Sequence, residues 1–101
     1  MYNSLKLTLY TQEDCGYCKL LKKKLSEWNF DYREINISHD LFAKDFLKEK
    51  GHRTVPQLYW HNTHLNKMPT TELTYEHLCA ELDYENYIGG VENWSTRKAS
   101  L

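Results

Sequence analysis

The feature that most restricts this chain is Cys15-Gly16-Tyr17-Cys18, set between an alternating apolar segment and an amphipathic one. Ahead of it, Leu5, Leu7 and Leu9 alternate with polar residues, as a strand with one buried face requires. After it, Cys18, Leu21, Leu25 and Trp28 recur at helical spacing, predicting a helix from Lys19 to Trp28. A Cys-x-x-Cys pair opening a helix is the sequence form of a thiol–disulfide redox site. Unpaired backbone N–H groups and the positive end of the helix dipole stabilise an anion there. That lowers the thiol pKa, and the thiolate is the nucleophile. The second cysteine is near enough to close a disulfide and eject whatever the first has captured.

Two other readings fit less well. Structural zinc needs four ligands. The nearest further donors, His61 and His64, match neither the usual histidine spacing nor the usual gap. A structural disulfide closing so short a loop restrains little chain. The N-terminus lacks the basic-then-apolar run of a secretion signal, and no apolar stretch could span a bilayer. A reducing, cytoplasmic setting is the expectation, where such a pair is catalytic rather than structural. With 101 residues the chain is sized for one domain, and a formal net charge of −1 gives no nucleic-acid signal.

The remaining pattern reads β-α-β-α-β-β-α. Tyr32 to Ile37 is a strand with Arg33, Ile35 and Ile37 on one face. Ser38 is positioned to cap a helix over Asp40 to Lys50 that turns Phe42, Phe46 and Leu47 inward, with Gly51 stopping it. Pro56 opens a strand to Trp60, His61-Asn62 turns, and Thr63 to Asn66 pairs back. Thr74 is positioned to cap a last helix packing Tyr75, Leu78, Cys79 and Leu82.

Over roughly residues 5 to 66 the chain resembles glutaredoxins. The resemblance rests on Tyr10-Thr11-Gln12-Glu13-Asp14-Cys15-Gly16-Tyr17-Cys18 and on Thr54-Val55-Pro56. It implies an α/β, thioredoxin-like fold with a central four-stranded mixed sheet. It also implies a glutathione-dependent thiol–disulfide oxidoreductase acting in electron transport. Cys15 would be the nucleophile and Cys18 the resolving thiol. Tyr17, Gln12, Arg53, Thr54, Val55 and a cis Pro56 would line the glutathione site, with the Val55 backbone pairing with the tripeptide. Implied partners are glutathione and disulfide-bearing clients such as ribonucleotide reductase, served by a monomer without nucleic-acid or membrane contacts. Small size and an altered pocket are similar to bacteriophage-encoded glutaredoxins.

Three departures from the family pattern bear on function. Gln12 stands where relatives carry a lysine that binds a glutathione carboxylate, and Glu13 and Asp14 add negative charge that disfavours a thiolate. Gly16 replaces the common proline. In some glutaredoxins that change accompanies iron–sulfur cluster binding, with Cys15 as a ligand, so a cluster carrier is one alternative and a thioredoxin-like reductant charged by a reductase is another. The family Gly-Gly is missing after the hairpin. Either Asn66-Lys67 replaces it, giving a domain over 1–83, a tail over 84–101 and Thr70 and Thr71 as carboxylate-site candidates, or residues 66–86 are an insertion before Gly89-Gly90. The favoured layout is the first, because a short turn closes a hairpin of normal length. The lysines of the first helix read as a solvated face, the five histidines as surface or edge residues, and Cys79 as a small buried hydrophobe.

Overall fold

The computed structural model describes residues 6–89, with side chains described through residue 82. The elements are β1 (Lys6–Thr11), α1 (Gly16–Glu27), β2 (Asp31–Asn36), α2 (Leu41–Glu49), β3 (Gln57–Trp60), β4 (Thr63–His64), a 3₁₀ turn (Thr70–Glu72) and α3 (Tyr75–Gly89). They form one mixed sheet in the order β2-β1-β3-β4. β1 runs parallel to β2, with Leu9 opposite Glu34, and antiparallel to β3, with Leu9 opposite Leu58. The β-α-β-α-β-β-α order read from the pattern is the order observed.

Leu7 and Leu9 of β1, Leu21 and Leu25 of α1, Leu58 of β3 and Leu78 and Leu82 of α3 are fully buried in one core. Each such leucine stabilises the fold by about 2 kcal/mol relative to an exposed side chain. β2 is an edge strand, and its Tyr32 packs against this core only in part. Thr74 caps α3 as expected, its Oγ1 accepting from the His77 N–H at 3.1 Å.

Several local expectations change. α1 begins ahead of Lys19 because Cys15 is itself the N-cap: its backbone is extended and its Sγ accepts from the Cys18 N–H at 3.0 Å. Asp40, not Ser38, caps α2 through a 3.0 Å bond from the Ala43 N–H to its carboxylate. Ser38 instead accepts from the Glu13 N–H at 3.1 Å. α2 buries Ala43 and Leu47, while Phe42 points outward and is 89 % exposed. Phe46 is half-buried, its ring 5.5 Å from those of Tyr10 and Tyr59. Tyr75 is more exposed than its spacing suggested, resting against Trp28 and Phe30.

Asn29 after α1 has φ 63° and Gly51 after α2 has φ 86°, so both helices end in left-handed backbone, as expected of Gly51. α3 continues past position 84 to Gly89. Leu5, residues 90–101 and the side chains of Tyr84, Tyr87 and Trp94 lie outside what the structure describes. Among the described residues no helix is long and apolar enough to cross a membrane.

Candidate active site

Cys15 and Cys18 are joined in a disulfide with their Cα atoms 5.2 Å apart. Their surroundings differ. Cys18 is 2 % exposed and shares the buried face of α1 with Leu21 and Leu25, whereas Cys15 is half-exposed at the helix tip. On reduction, Cys15 would be the sulfur that a solvent-borne disulfide reaches, with the Cys18 N–H already directed at it. The first-turn N–H groups and the helix dipole favour its thiolate.

Facing Cys15 is the segment from Thr54 to Leu58. The Val55–Pro56 peptide is cis, as the resemblance implies. Its neighbours are tied down. The Thr54 carbonyl accepts from Gln57 Nε2 at 2.9 Å, and the Pro56 carbonyl accepts from Asn66 Nδ2 at 3.0 Å. The Leu58 N–H donates to Asn66 Oδ1 at 2.8 Å. Asn66 thereby does with its side chain what a longer β4 would do with backbone. Val55 is left over. Its carbonyl lies 3.9 Å from Cys15 Sγ, and its N–H makes no hydrogen bond among the described residues. This is a strand edge of one residue, beside the reactive sulfur, open to a guest backbone.

Two hollows meet here. The first, about 490 Å³, is lined by Gln12, Cys15, Tyr17, Lys44, Lys48, Arg53, Thr54 and Val55 among others. The second, about 710 Å³, shares Tyr17, Thr54 and Val55 and extends past Pro56, His64 and Asn66 to Thr70 and Thr71. Cys15 and every residue nominated for the glutathione site therefore line one contiguous region, with Cys18 buried behind Cys15. Tyr17, 61 % exposed, stands on the wall common to both hollows. Thr70 is buried, and its carbonyl and that of Leu73 accept from Lys24 Nζ at 2.7 and 2.9 Å. Gly16 has nothing within 4 Å of where a Cβ would stand, so packing does not demand glycine there.

Sequence reasoning missed Lys44 and Lys48. The signal available was their four-residue spacing on a helix leading into Thr54-Val55-Pro56. The reading of the α1 lysines as a solvated face holds for Lys19 and Lys23, which are exposed, and only in part for Lys22 and Lys24. Among the α1 lysines, Lys22 is paired with Glu34 at 3.2 Å and Lys24 is held on the two carbonyls. Glu13 is bonded to His39 at 3.0 Å and Asn36 at 2.9 Å, which holds its exposed carboxyl below the usual range.

Two histidines read as peripheral belong to the wall. Gln57 Nε2 is donated to Thr54, so its Oε1 faces His64 and accepts from His64 Nε2 at 2.7 Å. His52 Nε2 lies 2.7 Å from the Tyr59 hydroxyl, and the two imidazoles are 4.6 Å apart. Burial holds both below the usual histidine range. For His64, neighbouring His52 and Lys67 push the same way, while Asn66 and Glu81 oppose. In the window between these lowered values and about 6.5, the unfolded chain binds more protons than the folded one. Stability must therefore fall as pH drops below about 6.5. A melting series should show a lower midpoint at about pH 5.5 than at pH 7.5, with a smaller difference in His64→Gln. Equal midpoints in the wild type would contradict the assignment.

A family model described as Glutaredoxin matches residues 7–65. The chain belongs to the glutaredoxin family. A Mycobacterium tuberculosis (strain H37Rv) protein carrying the glutaredoxin name is 42 % identical over 52 residues, covering 50 % of this chain and 62 % of that one. The glutaredoxin-like protein NrdH of Escherichia coli K12 is 31 % identical over 52 residues, covering 52 % and 64 %. This glutaredoxin-family chain thus spans less than two thirds of the length of these curated relatives. Among solved structures, NrdH-redoxin from Escherichia coli, a glutaredoxin-like protein with a thioredoxin-like activity profile, superposes with TM-score 0.56 at 27 % identity, covering 59 % of this chain and 79 % of that one. Buckwheat glutaredoxin in complex with glutathione superposes with TM-score 0.60 at 24 % identity, covering 82 % and 81 %. The fold is thioredoxin-like.

Proposed function

We propose that this glutaredoxin is a dithiol oxidoreductase that reduces protein disulfides and glutathione mixed disulfides, with glutathione as its co-substrate. The observation that supports it is the asymmetry of the pair: a half-exposed Cys15 capping α1 beside the open Val55 edge, and a buried Cys18 one turn on. The Cys15 thiolate attacks one sulfur of the client disulfide. A mixed disulfide forms, and the displaced thiolate takes a proton from solvent. Cys18, once deprotonated, attacks Cys15 Sγ, releasing the client's second thiol and leaving the Cys15–Cys18 disulfide. Two electrons have passed to the client, and two glutathiones return them, leaving as glutathione disulfide. Family potentials of about −200 to −230 mV lie close enough to the glutathione pool for this return. The client class implied by the family resemblance is ribonucleotide reductase.

The alternative donor is a reductase of the kind that serves thioredoxins. Gln12 supports it, because it removes a cation from the glutathione site, and so does the thioredoxin-like activity profile of NrdH-redoxin. The deciding experiment compares recharging by glutathione plus glutathione reductase with recharging by thioredoxin reductase. Faster turnover with glutathione is expected. Turnover with thioredoxin reductase alone would overturn glutathione dependence. For the cluster-carrying reading, the chain's own contribution would be Cys15, since among the described residues no three His, Cys, Asp or Glu side chains gather.

Gln12 lies at the rim beside Cys15, so Gln12→Lys restores a cation there. The variant should lower the KM for glutathione about threefold, a typical effect of one solvent-screened charge. It should also move the Cys15 alkylation profile to lower pH. An unchanged profile would remove Gln12 from the thiol's electrostatics.

A further inference from the structure

We propose that the first hollow receives the disulfide-bearing segment of a polypeptide client whose residues beside the cysteine are acidic. This rests on the oxidoreductase reading and adds a substrate class to it. Lys44, Lys48 and Arg53 line the hollow together with Cys15, and no Asp or Glu is among its lining residues. None of the three has an ion pair among the described residues. The chain as a whole carries −1, so this concentration of positive charge is local to the mouth of the site.

The spacing narrows the occupant. Lys44 and Lys48 are one helical turn apart, about 6 Å along the axis of α2. Alternate side chains of an extended peptide are about 6.6 Å apart and point the same way. Two acidic residues at alternate positions would meet the two lysines while the backbone pairs with Val55. Leu41, 72 % exposed, lies three residues before Lys44 on the same helical face and offers an apolar contact at the far end. Glutathione brings two carboxylates and an ammonium, a net charge of about −1, against these three cations. The chemical step is unchanged, and the cations act on encounter and register.

The test uses three synthetic peptides with one intermolecular disulfide each, identical except that the alternate flanking positions are Glu, Gln or Lys. For the wild type, kcat/KM should fall in the order Glu, Gln, Lys, spanning about tenfold at low salt and much less at about 0.5 M salt, where charges are screened. Lys44→Gln combined with Lys48→Gln should flatten the order, and the double arginine variant should retain it. Retention of the order in the glutamine variant, or no order in the wild type, would overturn the inference alone. Inactivity of the wild type on all three peptides would overturn the oxidoreductase reading and the inference with it.

Discussion

Cys15→Ser is expected to reduce thiol exchange to background on every substrate, whereas Cys18→Ser should lose only one class. Cys15 is the half-exposed sulfur at the helix tip, favoured as a thiolate by its position and receiving the Cys18 N–H at 3.0 Å. Serine keeps the cap but has no comparable nucleophile. Cys18 is 2 % exposed, so it should reach a substrate only through a mixed disulfide already formed on Cys15. Without it, a second glutathione can still resolve a glutathione mixed disulfide, so that activity persists. Reduction of protein disulfides that need an intramolecular resolving thiol should fail, and the mixed disulfide with Cys15 should accumulate and be visible by mass spectrometry. Measuring both substrate types in both variants decides the roles. An active Cys15→Ser beside an inactive Cys18→Ser would exchange the assignments.

Asn66→Leu should destabilise the domain by about 2–4 kcal/mol, because two buried backbone groups lose their partners at once. Asn66 is 7 % exposed, and its amide is oriented without ambiguity: the oxygen accepts from the Leu58 N–H and the nitrogen donates to the Pro56 carbonyl. Leucine matches the shape and satisfies neither. In urea the midpoint should fall while the slope is unchanged. The surviving folded protein should show a raised KM for glutathione mixed disulfides, since the segment presenting Val55 is held by those two bonds. A loss under about 0.5 kcal/mol would mean that the segment is held by other contacts.

Much of this was visible in the chain before folding. The alternation at Leu7 and Leu9, the helical spacing of Cys18, Leu21 and Leu25, and the left-handed stop at Gly51 are local signals, and local backbone physics decided them. Ser38 against Asp40 was harder, because both side chains can cap. The choice depended on Glu13, whose N–H engages Ser38 across 25 residues of sequence. Phe42 was misplaced for a different reason. Phe42, Ala43, Phe46 and Leu47 give a short helix two apolar faces to choose from, and composition does not say which is buried. Asn66, His64 and Gln57 were illegible as site residues. Each acts through a hydrogen bond to a group brought close only by the hairpin, and none carries a motif of its own.

The single open residue at Val55 has a consequence for what such an enzyme can discriminate. A main-chain edge offers the same N–H and C=O to any visitor and is blind to the side chains that visitor bears. Contact there sets orientation without setting identity. Under the proposed function, promiscuity is built in at the point of chemistry, and any preference among clients has to be imposed by the terrain around it, where substitutions would retune the clientele while the two cysteines stay as they are.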